Sequence, residues 1–182
     1  MPILAKEPSA WPTELFAVCT GESQRWCALH VRPRTEKSVA RHLRSRRVPF
    51  FLPVHQSWKT YQRRRVASYS PLFPGYVFAM ASDDTHSACA AVKEVVKCLE
   101  PTDPQQLQED LKRLHALLET GAPLTREERL QPGMSARIVS GPLAGMTGTV
   151  IRNKDGIKFV LQVKFIQQGA SIEVDGSLIE AE

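Results

Sequence analysis

Apolar positions in this chain come in two textures. The first runs from Trp26 to about residue 120 and mixes dense short runs with helical spacing. Trp26-Cys27-Ala28-Leu29-His30-Val31 is mostly apolar and ends just before Pro33, which predicts a buried strand. Thr35 can then cap a helix in which Val39, Ala40 and Leu43 share one face, while Arg41, Arg44 and Arg47 recur at spacing three on another. Pro49 stops that helix, and Phe50 to Val54 reads as the next strand. Lys59 and Arg63-Arg64-Arg65, among polar neighbours, predict an exposed hairpin or loop. Leu72 to Phe78 is a second dense apolar strand, interrupted near its start by Pro74-Gly75. Ser82-Asp83-Asp84 offers caps for a short helix through Val92, and Val95 to Leu99 is another strand. Asp103 caps a longer helix with Pro104 at its first position. There Leu107, Leu111, Leu114 and Leu118 make an amphipathic stripe, and Gly121 ends the helix.

The order is β-α-β-β-α-β-α, which predicts an α+β domain: an antiparallel sheet of split β-α-β type with helices packed on it. Residues 122–131 are polar and read as a linker. From Pro132 helical spacing disappears. Short strand-like runs follow at 136–139, 147–152, 158–165, 171–174 and 178–179, separated by turns at Gly141, Gly145, Asp155-Gly156, Gly169 and Asp175-Gly176. Five short strands in about fifty residues predict a small SH3-like barrel. The expected organisation is an N-terminal extension at 1–24, read as mobile or peripheral, a first domain at 25–120, a linker at 121–131 and a second domain at 132–182.

Composition changes this picture mainly through charge. The 182 residues are 42% apolar and 24% charged, enough for packed cores. Net charge is +5, but it is segregated. Between residues 25 and 65, twelve Lys or Arg stand against one acid, Glu36, while the remainder is net acidic. That asymmetry fits a footprint on a polyanion, although charge runs are often only solvated helix faces. No apolar run approaches the ~18–20 residues of a bilayer span, and the first residues lack a signal-peptide core. The sequence is read as cytoplasmic, without a membrane partner. Cys19, Cys27, Cys89 and Cys98 form no C-x-x-C pair and are read as free, packed thiols rather than metal ligands.

Enzyme signatures are missing from the sequence. Gly141, Gly145 and Gly148 lack the Lys-Ser/Thr of a phosphate loop, and the five histidines are scattered without metal-like spacing. The chain is read as a non-enzyme needing no cofactor.

Two segments resemble a known family. Pro71-Leu72-Phe73-Pro74-Gly75-Tyr76-Val77-Phe78 is similar to the signature strand of the NusG N-terminal (NGN) domain. Val139 to Val150, with its glycine-spaced turn, resembles a KOW motif. The two occur in the family's order and cover about residues 25–182. The words Ser70-Pro71-Leu72-Phe73-Pro74 and Phe51-Leu52-Pro53 resemble most the specialised RfaH, UpxY and LoaP paralogues.

The resemblance implies a monomeric transcription elongation or antitermination factor. Its NGN domain would grip the clamp helices of the largest RNA polymerase subunit through an apolar patch, here Phe73 and Tyr76 with Phe51 and Leu52 contributing. Leu52 and Phe78 also fit a core role, whereas Phe73, beside the Pro-Gly kink, fits the contact. His86-Ser87-Ala88 matches an element that meets the polymerase gate loop, with His86 and Ser87 retained and the last hydroxyl missing. Arg32, Arg41, His42, Arg44 and Arg47 would face non-template DNA or nascent RNA near the bubble, with phosphate contacts from Arg63, Arg64 and Arg65. The nearly charge-balanced KOW domain would meet a protein, a ribosomal protein or Rho in relatives, through Gly141, Gly145, Phe165 and Ile166. Phe159 and Val163 read as its core. The alternative is a free-standing RNA- or DNA-binding KOW protein independent of polymerase.

Overall fold

The computed structural model describes residues 8–17, 24–61, 64–127, 133–153 and 156–182; at residues 57–59, 61, 64–66 and 153 it describes the backbone only. The chain divides into two compact units, Met1–Pro104 and Gln105–Glu182. The division falls at the start of the long helix rather than after it.

The first unit is built on a five-stranded antiparallel sheet. Its strands are β1 (Ala10–Trp11), β2 (Arg25–Val31), β3 (Phe50–Phe51), β6 (Tyr76–Ala81) and β7 (Val95–Leu99), in the order β1-β3-β6-β2-β7. Between β3 and β6 the chain leaves as a two-stranded hairpin, β4 (Val54–Tyr61) with β5 (Arg64–Pro71), so the predicted basic loop is a hairpin. The predicted strand at 50–54 is thereby split between β3 and β4.

Period-two alternation gives this sheet two apolar faces. Cys27, Leu29 and Val31 of β2 and Val77, Ala79 and Ala81 of β6 lie on one face. It packs on Val39, Ala40 and Leu43 of helix α1 (Glu36–Ser45), with Cys89 of helix α2 (Asp83–Ala90) and Val92 in the same cluster. The intervening residues Trp26 and Ala28 of β2, and Phe78 and Met80 of β6, are equally buried on the other face. Part of that face is covered by the N-terminal segment. Phe16 stacks on Trp26 at 5.7 Å and meets Phe51 edge-on at 5.1 Å, while Leu52 N–H donates to Ser9 O at 2.6 Å. The segment expected to be mobile or peripheral therefore contributes a strand, β1, and two buried side chains, Ala10 and Leu15, over residues 8–17. Its few anchors, spaced irregularly between prolines, left no period to read.

Helix α1 starts and stops differently from the expectation. Thr35 is at the N-cap but makes no capping bond; its Oγ1 donates to Arg32 O at 2.7 Å. At the far end Val48 N–H reaches Leu43 O and Arg47 N–H reaches Arg44 O, both at 3.0 Å, with Arg47 at φ +57°. That is a Schellman ending in which arginine occupies the left-handed position usually given to glycine. Arg47 therefore lies past the helix and not on a face with Arg41 and Arg44. Helix α2 is capped by Ser82 in a reciprocal box with Thr85.

The second unit contains helix α3 (Pro104–Glu119) and a six-stranded antiparallel sheet. The helix buries Leu107, Leu111, Leu114 and Leu117, together with Asp110. Leu117 is buried in place of the predicted Leu118, and Leu118 is half-buried beside it, so the covered stripe is widened towards the side of Asp110 and Leu117. Asp110 accepts from Lys164 N–H at 3.1 Å and from Gln106 Nε2 at 2.8 Å. Its burial pushes the carboxyl above the ordinary aspartate range, against those two bonds. The sheet runs β13 (Ile179–Ala181), β9 (Met134–Ile138), β10 (Thr147–Asn153), β11 (Gly156–Val163), β12 (Gln168–Glu173), β8 (Thr125–Glu127). The five predicted strands are present. The sixth, β8, comes from the stretch read as linker, where Thr125, Arg126 and Glu127 pair with Ser171, Ala170 and Gly169. Three polar residues carry no strand signal of their own; the partner strand supplies it. Phe159 and Val163 are core residues, as expected.

Candidate functional site

The turn between β5 and β6 carries the aromatic residues of interest, and its backbone is held from two sides. Gly75 sits at φ +83°, a region glycine reaches without strain. Its N–H donates to Oε1 of Glu36 at 2.8 Å, and its carbonyl accepts from Val31 N–H at 2.9 Å. Glu36 is the lone acid of the basic stretch and is buried at the start of α1, where a negative charge also suits the helix dipole. Sequence reasoning did not single it out, yet it ties the first helix to a turn 39 residues away. Glu36→Gln keeps the shape but weakens a charge-assisted acceptor. Chemical denaturation should show a loss of about 1–3 kcal/mol, because bonds to charged groups are worth roughly that much.

Phe73 lies in the same turn, and the expectation for it is corrected. It is only 1% exposed and lies edge-on to Phe78 with ring centroids 6.4 Å apart. Phe51 and Leu52 are buried as well. Side chains buried this way present no ring or apolar surface to solvent. Tyr76 is different. It is half-buried at the start of β6, with the exposed His30 ring 5.5 Å away across the β2/β6 pair. Of the four proposed apolar contacts, Tyr76 alone keeps surface.

His86 and Ser87 occupy the second turn of α2. Ser87 is exposed. His86 is half-buried and engaged: Nε2 lies 3.0 Å from Cys98 Sγ and 3.2 Å from Glu100 Oε1. A cleft of about 190 Å³ beside it is lined by Arg25, Cys27, Asp83 and Glu100 among others.

The basic residues divide similarly. Arg32, Arg41, Arg44 and Arg47 are exposed and His42 is half-buried. Arg41 Nε also donates to Lys37 O at 3.2 Å, and Lys37 Nζ donates to Tyr69 O at 2.8 Å, tying α1 to the hairpin. Arg63 lies outside the described residues, and Arg64 and Arg65 are described by backbone alone.

In the second unit Gly141 and Gly145 form an exposed turn after β9, at φ +83° and +84°, closed by Gly145 N–H to Ile138 O at 2.7 Å. Phe165 is half-buried. Ile166 is corrected: the single 3-10 turn at Lys164–Ile166 buries it, so it belongs to the core and not to a contact surface. Among the described residues no cluster of three or more His, Cys, Asp or Glu could hold a metal, and no helix is long and apolar enough to cross a membrane.

Comparison with known proteins places these features in a family. The chain resembles the structure described as "Domain interaction in Thermotoga maritima NusG", with 19% identity, a TM-score of 0.51, and coverage of 86% of this chain and 96% of that one. At that identity the likeness concerns the fold. A second match, described as "Crystal Structure of MjSpt4:Spt5 complex conformation B", has 17% identity, a TM-score of 0.29 and coverage of 86% and 95%. No curated protein sequence matches the chain. The family profile described as "Transcription termination factor nusG" matches residues 24–114. That span is half of the chain, and it contains four of the sheet's five strands, α1, α2 and the clasped turn: this chain belongs to the NusG family.

Proposed function

We propose that this protein is a transcription elongation or antitermination factor that binds RNA polymerase through its first unit and recruits a second partner through its β-rich unit. The observation that carries the reading is the family match over residues 24–114, which spans the unit bearing the clasped turn and the basic helix. Within it, Tyr76 is the aromatic anchor, with His30 beside it and Ser87 as a peripheral polar contact. A tyrosine with one edge packed and one edge open loses little conformational entropy on docking.

Arg32, Arg41, Arg44 and Arg47 then lie along exposed nucleic acid in the elongation complex. Such contacts position the protein without reading sequence. The Gly141–Gly145 turn and Phe165 are the contact points for a protein partner, a ribosomal protein or Rho. Operon-specific action, as in the RfaH, UpxY and LoaP paralogues, rests on the words Ser70 to Pro74 and Phe51 to Pro53 alone.

The exposed arginines also support a second reading, a nucleic-acid binder independent of polymerase. Reversing Arg41, Arg44 and Arg47 to Glu separates the two. On a nucleic-acid scaffold with polymerase, the slope of log affinity against log salt should fall by about 2–3, close to one per lost phosphate contact. Polymerase binding without nucleic acid should survive. Wild-type protein that binds the nucleic acid alone but not polymerase without it, with the nucleic-acid binding abolished by the reversal, would favour the second reading.

A further inference from the structure

We infer that Cys98 is a nucleophilic thiol, held ready by His86 and Cys27, that small hydroperoxides oxidise selectively. The argument begins with a strand pairing. In the β2/β7 ladder Leu29 faces Cys98, so Cys27, two residues along β2, lies diagonally across on the same face. Helix α2 packs against β7 and brings His86 to the same point, with Nε2 3.0 Å from Cys98 Sγ.

The hydrogen-bond roles follow from Glu100. Its carboxylate can only accept, and its Oε1 sits 3.2 Å from that same Nε2. With a hydrogen on that nitrogen, both neighbours are served and the Cys98 sulfur accepts. Cys27 is a second donor to Cys98. A sulfur that receives two hydrogen bonds favours its thiolate form. The Cys27 bond, then the charge and hydrogen bond of His86, lower the Cys98 thiol to about 7 against the opposing effects of burial and Glu100. Cys27 is pushed the other way, first by its bond to Cys98 and then by burial, and stays protonated. Cys89, one helical turn from His86 and buried, is pushed up to about 11 by desolvation and by Cys98. Cys98 is thus the reactive thiol of these three, and it is half-exposed where the other two are buried. Among the described residues no group of His, Cys, Asp or Glu is arranged to hold a metal.

The step is a two-electron oxidation. The Cys98 thiolate attacks the distal oxygen of a hydroperoxide ROOH, forming an S–O bond as the O–O bond breaks. The sulfur becomes a sulfenic acid and the peroxide is reduced to ROH, whose oxygen takes its proton from His86 or water. The product disrupts the His86–Cys98 contact that links α2 to β7.

The test uses the full chain, hydrogen peroxide as oxidant and dimedone as the trap, read by peptide mass spectrometry; Lys93 and Lys97 let trypsin separate Cys98 from Cys89. At pH 7, Cys98 should be trapped at least about tenfold faster than Cys89, because a thiol of pKa about 7 is half thiolate there. His86→Gln should slow Cys98 several-fold and leave Cys89 unchanged. Should that variant misfold, the wild-type rate of Cys98 alkylation by iodoacetamide against pH serves instead, with an expected midpoint near 7. Equal rates at Cys98 and Cys89, an unchanged rate in a folded His86→Gln protein, or a midpoint near that of an ordinary thiol would overturn the inference. None of these readouts needs polymerase, so the inference stands or falls apart from the docking proposal.

Discussion

Replacing Phe73 with alanine is expected to cost about 3–5 kcal/mol of stability, the usual range for removing a buried phenylalanine. The ring is sealed, and it meets Phe78 edge-on in a geometry that adds to the gain from burial. Its removal leaves a cavity bounded by a turn that Glu36 and Val31 hold in place, so the backbone can collapse only partly into the space. Urea denaturation followed by tryptophan fluorescence would measure this, since Trp26 lies on the same sheet face as Phe78, the ring that Phe73 meets. A loss below about 1 kcal/mol would mean that the ring is not the core element described here. The same result bears on function: an alanine at this position would reduce any activity by unfolding the unit, whatever the ring touches.

The second large effect belongs to the β-rich unit. Gly148 lies on β10 between β9 and β11, and a Cβ built there would come within 2.6 Å of Phe159 Cζ and 2.8 Å of Val160 O. A rotamer change cannot relieve both clashes, because Phe159 is fully buried and the carbonyl belongs to the ladder itself. Gly148→Ala should therefore cost at least the ~1–3 kcal/mol typical of overpacking, and Gly148→Val should prevent the sheet from forming. Backbone amide exchange over β10 and β11 would report it, with protection lost there. By contrast, Gly141→Ala has open space around its Cβ and suffers only the left-handed φ.

These two positions show what the sequence makes legible and what it hides. Gly148 falls in the strand-like run at 147–152, just after a glycine-spaced turn, and its place in a small β unit follows from that spacing. The same is true of β2, where six mostly apolar residues end before Pro33, and of α3, whose leucine stripe is misread only at its last member. Phe73 is hidden for a different reason. Whether a residue in a Pro-Gly turn points in or out depends on what holds the turn, and that is a carboxylate 39 residues earlier. Residue types and local spacing do not carry that information. Strand β8 and the docked segment at residues 8–17 fail likewise, since each owes its order to a partner strand and not to its own pattern. Cys98, His86 and Cys27 read as scattered residues along the chain, and only the β2/β7 register and the packing of α2 bring them together.

The functional reading narrows as a result. Of the four apolar contacts expected of the first unit, Phe73, Phe51 and Leu52 are buried, and the proposed docking surface centres on Tyr76 with His30 beside it and the exposed arginines of α1. A partner would meet one aromatic edge and a basic rim. Such an interface depends on few anchors, so a single truncation at its centre should be felt strongly.

The most direct measurement is a titration of the purified full-length protein against core RNA polymerase, with wild type and Tyr76→Ala compared and their melting temperatures checked. The account predicts saturable binding by wild type and at least a tenfold weaker affinity for a Tyr76→Ala protein that melts normally, about 1.4 kcal/mol or more. Wild-type protein that ignores polymerase, or a folded Tyr76→Ala variant that binds as tightly, would contradict it.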